Sequence, residues 1–246
     1  MGSFLPQPDP DGAGIVAVYC GTTGAAAMAA AALSLLSEEE RERFGRLRTE
    51  ADRVDYAIAH LLLLRLLQNA TGSRQPRFTR GQHGKPALDP PSGTPALRFN
   101  LSHSRGCVAC VLGRGAEVGI DVEDSARIGG RHHVAASIFS AEERQVLAAL
   151  DEAGRREAFA AMWTMKEAII KADGRGLAMP MQGFTVDPGS SSVRFAGDDD
   201  RSATRWLLGR HSWGRFRLAA AAVGDPPPKR ISWTRVECDA LLSPGG

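Results

Sequence analysis

Hydrophobic residues recur at helical spacing in two long stretches of the chain. Between Glu50 and Gln68 apolar side chains return every three or four positions, and Gly72 follows as a stop signal. The stretch Arg156–Ala172 has the same period. Both patterns predict amphipathic helices. The predicted buried stripe of the second helix consists of Phe159, Met162, Trp163 and Ile170.

Two Ser-x-x-Glu sequences predict further helix starts. Ser37 is followed by Glu40, and Ser140 by Glu143. In such a capping box the serine hydroxyl and the glutamate carboxylate each accept a hydrogen bond from a backbone N–H of the other residue. The second box predicts a helix that runs to Leu150.

Shorter apolar runs with turn residues between them predict strands. Residues 97–101 and 108–112 are joined by a polar connection at 102–106, and Glu117–Glu123 alternates strictly. Further strands are predicted at 184–186, 205–208 and 216–223. Each half of the chain thus combines helix and strands, which predicts an α+β fold.

Composition narrows the class of protein. The 246 residues are 43% hydrophobic and carry a net charge of +2, so no strong field favours nucleic acid. The apolar run Ala25–Leu36 is too short to span a membrane, and the acidic N-terminus lacks the basic region of a signal peptide. Cys107 and Cys110 form one CxxC in a buried strand, which predicts inert thiols. We therefore expect a cytoplasmic protein.

Two carboxylates share one face of the strand Glu117–Glu123. The side chains of Val118, Ile120 and Val122 point to one side, and those of Asp121 and Glu123 to the other. Adjacent like charges repel unless a cation compensates, and oxygen ligands suit a hard cation such as Mg²⁺. The alternative is an exposed strand face with two solvated acids.

The second predicted helix carries Glu167 and, one turn later, Lys171. One interpretation is a third metal carboxylate beside a phosphate-binding lysine. The other is a surface ion pair, worth about 0.3–0.5 kcal/mol.

Two polar segments offer donors to phosphate. Ser102 and His103 follow a predicted strand, and Lys85 lies in the glycine-rich stretch Gly81–Pro86. This stretch is not a P-loop, because Pro86 occupies the Ser/Thr position. A plain turn and a simple loop are the alternatives. A Ser–His hydrolase is a weak interpretation, since the sequence has no GxSxG elbow.

The order of these motifs closely resembles the 4′-phosphopantetheinyl transferase superfamily, in its larger monomeric type that serves peptide, polyketide and siderophore synthesis. The resemblance spans roughly residues 38–186. It is carried by Gly84–Pro86 (GKP), Phe99–Ser104 (FNLSHS), Gly119–Glu123 (GIDVE), Phe139–Glu143 (FSAEE) and Trp163–Leu177 (WTMKEAIIKADGRGL).

The resemblance implies two similar α/β halves, residues 1–115 and 116–246, with the active site at their interface. It implies Mg²⁺, with Mn²⁺ as a possible substitute, held by Asp121, Glu123 and Glu167. Catalytic roles fall to Glu167 as general base and to Lys171 and His103 as stabilisers of phosphate oxygens. The residues implied to bind coenzyme A are Arg48, Arg53, Arg80, His83, Lys85, Ser102, His103 and Lys171.

The implied reaction transfers the 4′-phosphopantetheine of coenzyme A to a serine of an apo acyl, peptidyl or aryl carrier protein. Adenosine 3′,5′-bisphosphate leaves. We expect a monomer that has no nucleic-acid or membrane partner. Two alternatives stay open: a non-catalytic module that binds coenzyme A or a carrier protein, and a metal-dependent phosphoesterase.

Overall fold

The two longest helices are α3 (Glu50–Thr71) and α7 (Glu152–Asp173), where the apolar periodicity predicts them. The computed structural model describes residues 5–9, 14–76, 78–80, 86–88, 96–128, 135–197 and 205–242. The other α-helices in these ranges are α1 (Ala26–Ala32), α2 (Glu38–Gly45), α4 (Ser125–Ile128), α5 (Ala135–Ile138) and α6 (Ala141–Ala148).

Two main sheets form the centre of the fold. The strands are β1 (Gly14–Gly21), β2 (Phe78–Arg80), β3 (Pro86–Leu88), β4 (Leu97–Ser104), β5 (Cys107–Arg114), β6 (Glu117–Asp124), β7 (Phe184–Asp187), β8 (Ser192–Phe195), β9 (Trp206–Trp213), β10 (Phe216–Val223) and β11 (Arg230–Arg235). The first sheet has the order β11-β1-β5-β4, and the second has the order β6-β10-β9. Only the β1–β11 pair within them is parallel.

Alternating side chains bury both faces of the first sheet. On β1, Val16 and Val18 pack beneath α1 and α3, whereas Ile15 and Ala17 face the second sheet. Helix α7 covers the other side of the second sheet. The order of layers is therefore helix, sheet, sheet, helix, which confirms the α+β prediction.

Side-chain caps set the helix boundaries. Both predicted capping boxes are present, at Ser37–Glu40 and Ser140–Glu143. Helix α7 begins four residues before its predicted start, because the Asp151 carboxylate accepts the Gly154 N–H at 2.8 Å. Gly72 ends α3 with φ 69°, in the left-handed conformation that glycine adopts without strain.

The predicted connection at residues 102–106 is too long. Strand β4 continues to Ser104, and only Arg105 and Gly106 form the turn into β5. Polar side chains at the end of β4 led to the loop prediction, but Ser102 is buried there by its contacts with β6.

Cys107 and Cys110 are both free and buried, and they lie on opposite faces of β5, as the predicted strand requires. In the described parts of the chain, no helix combines the length and the apolar character needed to cross a bilayer.

Candidate active site

Strand β6 and helix α7 touch at backbone distance. A Cβ added to Gly119 would lie 2.1 Å from the Ala168 carbonyl oxygen and 2.4 Å from the Ala172 nitrogen. No side chain fits in such a gap, so glycine is required here. The close approach brings the polar face of β6 onto the C-terminal half of α7.

Asp121, two residues after Gly119 on the same face of β6, meets Lys171 of α7. The Lys171 ammonium donates to Asp121 Oδ1 at 2.6 Å, to Ser102 Oγ at 3.2 Å and to the Ile120 carbonyl at 3.1 Å. Ser102 also donates to Asp121 Oδ1 at 2.9 Å. The structure thus brings together residues from three separate motifs. Lys171 pairs with Asp121 where α7 packs on β6.

The second carboxylate oxygen of Asp121 is a buried acceptor. Asp121 is only 5% exposed, and Oδ2 has no hydrogen-bond partner among the described residues. A buried, unsatisfied acceptor is costly unless a cation or donor completes it. This oxygen is therefore suited to a cationic ligand.

Glu123 and Glu167 are half-buried near this point. Glu123 follows Asp121 on the same face, and Glu167 precedes Lys171 by one turn. In the ranges that the structure describes, no three His, Cys, Asp or Glu side chains come together as a metal-ligand set. The three predicted carboxylates therefore lie on two adjoining elements, β6 and α7, but in the described structure they do not converge as a set of metal ligands.

Strand β4 is joined to β6 by side chains. The Ile120 N–H donates to Asn100 Oδ1 at 3.0 Å, and the Val122 N–H donates to Ser102 Oγ at 3.3 Å. These two β4 side chains replace the backbone partners that β6 lacks on this edge. Ser102 therefore links the two sheets and contacts both Asp121 and Lys171.

His103 lies on the opposite face of β4, toward α3. Phe99 and Leu101 of this face pack on the α3 side, and His103 continues their alternation as an exposed side chain. A ligand that contacts both Ser102 and His103 must therefore lie across the edge of β4.

Two of the basic residues predicted to bind coenzyme A, Arg48 and Arg53, flank the start of α3. Arg48 and Arg53 are exposed, and Arg53 Nε donates to the Leu47 carbonyl at 3.0 Å. Arg43, which sequence reasoning did not select for this role, lies exposed in the last turn of α2.

Three predicted residues lie partly or wholly beyond what the structure describes. His83 and Lys85 are outside the described residues. Arg80 ends β2, and the structure gives no account of its side chain.

A cavity of about 400 Å³ adjoins the end of β4. It is lined by the β1–α1 connection, the start of α3, the Arg105–Gly106 turn and Arg215. Asp55 forms part of its wall, accepting hydrogen bonds from the Thr22 hydroxyl and the Gly106 N–H. Burial raises the pKa of Asp55. The cavity offers space beside the phosphate-binding candidates.

Lys166, directly before Glu167, is completely buried. Its ammonium lies 2.9 Å from Glu143 Oε2 and donates to the carbonyls of Met181 at 2.7 Å and Phe184 at 2.6 Å. Glu143 also caps α6 and accepts the Val186 N–H at 2.7 Å. Sequence reasoning identified Glu143 as a cap and as part of the FSAEE motif, but not as the partner of Lys166. This pair fixes the helix that carries Glu167 and Lys171.

Two family models match the chain. Residues 25–113 match the N-terminal model of 4′-phosphopantetheinyl transferase, and residues 117–221 match the 4′-phosphopantetheinyl transferase superfamily model. The two matches follow each other and include β4, β6 and α7.

Several curated proteins are similar to the chain. The 4′-phosphopantetheinyl transferase Sfp of Bacillus subtilis (strain 168) is 30% identical over 63% of this chain and 67% of its own length. HetI of Nostoc, a 4′-phosphopantetheinyl transferase, is 30% identical over 58% of this chain and 61% of its own length. A putative 4′-phosphopantetheinyl transferase of Synechocystis is 29% identical over 85% of this chain and 84% of its own length.

Among solved structures, the holo-[acyl-carrier-protein] synthase of Thermotoga maritima matches with a TM-score of 0.36 and 24% identity, over 44% of this chain and 62% of that chain. The consecutive model matches and the similarity to Sfp settle the family. This chain belongs to the 4′-phosphopantetheinyl transferase superfamily.

Proposed function

We propose that this protein transfers the 4′-phosphopantetheine of coenzyme A to a serine hydroxyl of an apo carrier protein. Phosphopantetheinyl transfer is the activity named by both matching models and by the curated relatives. The observation that carries the proposal is the Lys171–Asp121 contact of 2.6 Å, which joins the two motifs of the C-terminal half to Ser102.

In this reaction the protein positions the reacting groups and stabilises the charge that develops on them. The carrier serine oxygen bonds to the phosphorus that bears pantetheine, and the bond from that phosphorus to the bridging diphosphate oxygen breaks. Adenosine 3′,5′-bisphosphate leaves with the bond's electrons. Glu167 accepts the serine proton, and Lys171 stabilises the charge that develops on the phosphate oxygens.

We propose Mg²⁺ as the resident metal, with Asp121, Glu123 and Glu167 as its ligands and Mn²⁺ as a substitute. The buried, unpartnered Oδ2 of Asp121 supports a cation at this position. When bound, Mg²⁺ would neutralise charge on the diphosphate of coenzyme A. Calorimetry of Mg²⁺ with coenzyme A present tests the ligand set: Asp121→Asn should weaken the metal's binding, and equal binding would remove Asp121 from it.

Coenzyme A is proposed to lie across the edge of β4, so that its diphosphate reaches Ser102, His103 and Lys171. Arg80, His83 and Lys85 remain candidates from the resemblance. For the 3′-phosphate, Arg48 and Arg53 remain the candidates from the resemblance. The boundary near residue 116 and a monomeric state also stay proposals.

The two alternative functions receive no support from the comparisons. A non-catalytic module does not need Lys171 and Asp121 in contact at the proposed reaction centre. A phosphoesterase would release adenosine 3′,5′-bisphosphate from coenzyme A without any acceptor. We expect that release to require an apo carrier protein, and acceptor-independent release at the same rate would favour the phosphoesterase.

A further inference from the structure

Two of the four cysteines lie beside each other although they are far apart in the sequence. Cys20 is near the end of β1, and Cys238 follows β11 in the C-terminal segment. Their Sγ atoms are 3.4 Å apart, and Cys238 Sγ is also 2.7 Å from the Gly21 carbonyl oxygen. The function proposed above uses neither thiol.

The surrounding backbone holds the two segments in this arrangement. Strand β11 pairs in parallel with β1, and the Val236 N–H donates to the Tyr19 carbonyl at 3.0 Å. Beyond Cys238, Arg65 Nε of α3 donates to the Leu241 carbonyl at 2.8 Å. The two sulfurs therefore meet inside a hydrogen-bonded framework, and a small movement of the side chains brings them to bonding distance.

We propose that Cys20 and Cys238 form a redox-convertible dithiol, which a small-molecule disulfide such as oxidised glutathione oxidises to an intramolecular disulfide. The Cys238 thiolate attacks one sulfur of glutathione disulfide, whose S–S bond breaks as one glutathione thiolate leaves. The Cys20 thiolate then attacks Cys238 Sγ and expels the second glutathione. The protein loses two electrons and two protons, and the oxidant becomes two glutathione thiols.

The environments of the two sulfurs give the order of these steps. Cys20 is buried, whereas Cys238 is partly exposed and open to an oxidant. The contact with Cys238 and burial both raise the pKa of Cys20. Cys238 is thus the attacking thiol and Cys20 the resolving one.

The disulfide would fasten the C-terminal segment to the first sheet. This segment supplies β11 to that sheet and adds Val236 and Leu241 to the core beneath α3. A covalent link between residues 20 and 238 closes almost the whole chain into a loop, which constrains the unfolded state strongly. Oxidation should therefore stabilise the fold and protect the C-terminal segment from exchange and proteolysis.

The test equilibrates the full chain with oxidised glutathione and then unfolds it under acid quench for thiol counting and peptide mapping. We expect two remaining thiols, at Cys107 and Cys110, and a Cys20–Cys238 cross-linked peptide. The thermal midpoint should rise by roughly 5–10 °C relative to the reduced protein. Cys110→Ala keeps both reacting thiols and should form the same cross-link.

Cys238→Ser should neither cross-link nor become more stable in the oxidant, and its partly exposed position makes the change mild. Four free thiols after oxidation of the wild type would overturn the proposal. A stable glutathione adduct on Cys238 alone, or a cross-link between molecules, would overturn it as well. None of these readouts uses transfer activity, so the outcome is independent of the proposed function.

Discussion

Gly119 of β6 lies so close to Ala168 of α7 that a Cβ on the glycine would be 2.1 Å from the alanine carbonyl oxygen. This contact sets the distance between Lys171 and Asp121. Asp121 follows Gly119 by two residues on β6, and Lys171 follows Ala168 by three residues on α7. Gly119 of the GIDVE motif thus fixes how close Lys171, in the motif on α7, comes to β6.

Gly119→Ala should damage both stability and activity. Backbone atoms limit the space on the α7 side, so the helix must move away from β6, at a cost of at least about 1–3 kcal/mol. We expect a lower unfolding midpoint in urea and a large loss of transfer. Gly45→Ala is the matched control, because a Cβ there meets nothing within 4 Å. Equal effects of the two changes would show that the close contact is unimportant.

The buried pair Lys166–Glu143 should be sensitive to loss of one partner. Glu143→Gln leaves the Lys166 ammonium buried without its counter-charge, which typically costs about 3–5 kcal/mol. Burial lowers the pKa of Lys166, and Glu143 opposes that shift. Arg156→Ala removes an exposed ion pair with Glu152 and should cost under about 1 kcal/mol. Chemical denaturation of both variants compares them directly, and similar losses would contradict the assigned role.

Protonation of His60 should lower the unfolding free energy of the protein in mild acid. Its pKa is lowered mainly by burial, so below about pH 6.5 the unfolded state binds more protons than the folded state. Stability attributable to His60 is therefore lost as pH falls through that range. The difference in unfolding free energy between wild type and His60→Gln should shrink between about pH 7.5 and pH 5.5. A difference that does not change with pH would refute this shift.

Glu167→Gln should separate catalysis from binding. The change keeps the side chain's size but removes its charge and basicity, and loss of a general base typically lowers rates 10²–10⁴-fold. Coenzyme A affinity should fall far less, because Asp121 and Lys171 remain. Asp121→Ala should instead weaken metal and coenzyme A binding together. Single-turnover transfer by Glu167→Gln within a few-fold of wild type would remove Glu167 from the mechanism.

Local patterns predicted the elements that carry the site. The apolar periods of α3 and α7, the two capping boxes and the alternation of β6 depend on neighbouring residues, and the structure confirms all of them. Trp163 of the predicted stripe is half-buried and packs at the margin of the core.

Contacts between distant segments could not be predicted in this way. Strand β11 has a largely polar sequence, and its parallel partner β1 lies at the other end of the chain. Lys166 precedes Glu167 in a charged motif and gave no sign of burial, because its partner Glu143 belongs to another helix. The cap that Asp151 provides for α7 was not predicted from the sequence.

For the candidate site, too, the sequence predicted local features but not the contacts between distant segments. The motifs predicted which residues carry the chemistry, but neighbouring positions on a strand do not reveal which ones share a ligand. Ser102 faces Asp121, whereas His103 faces α3. Only the three-dimensional placement of β4 shows that a ligand must cross its edge to reach both side chains.

Intact-mass analysis of an apo carrier protein, incubated with this protein, coenzyme A and Mg²⁺, tests whether the protein transfers phosphopantetheine. The carrier should gain the mass of one phosphopantetheine, in step with release of adenosine 3′,5′-bisphosphate, and a carrier with alanine at the acceptor serine should gain nothing. Lys171→Ala should slow the gain strongly. An unchanged carrier mass with functional carriers of several types, while coenzyme A binds normally, would rule out phosphopantetheinyl transfer to carrier proteins.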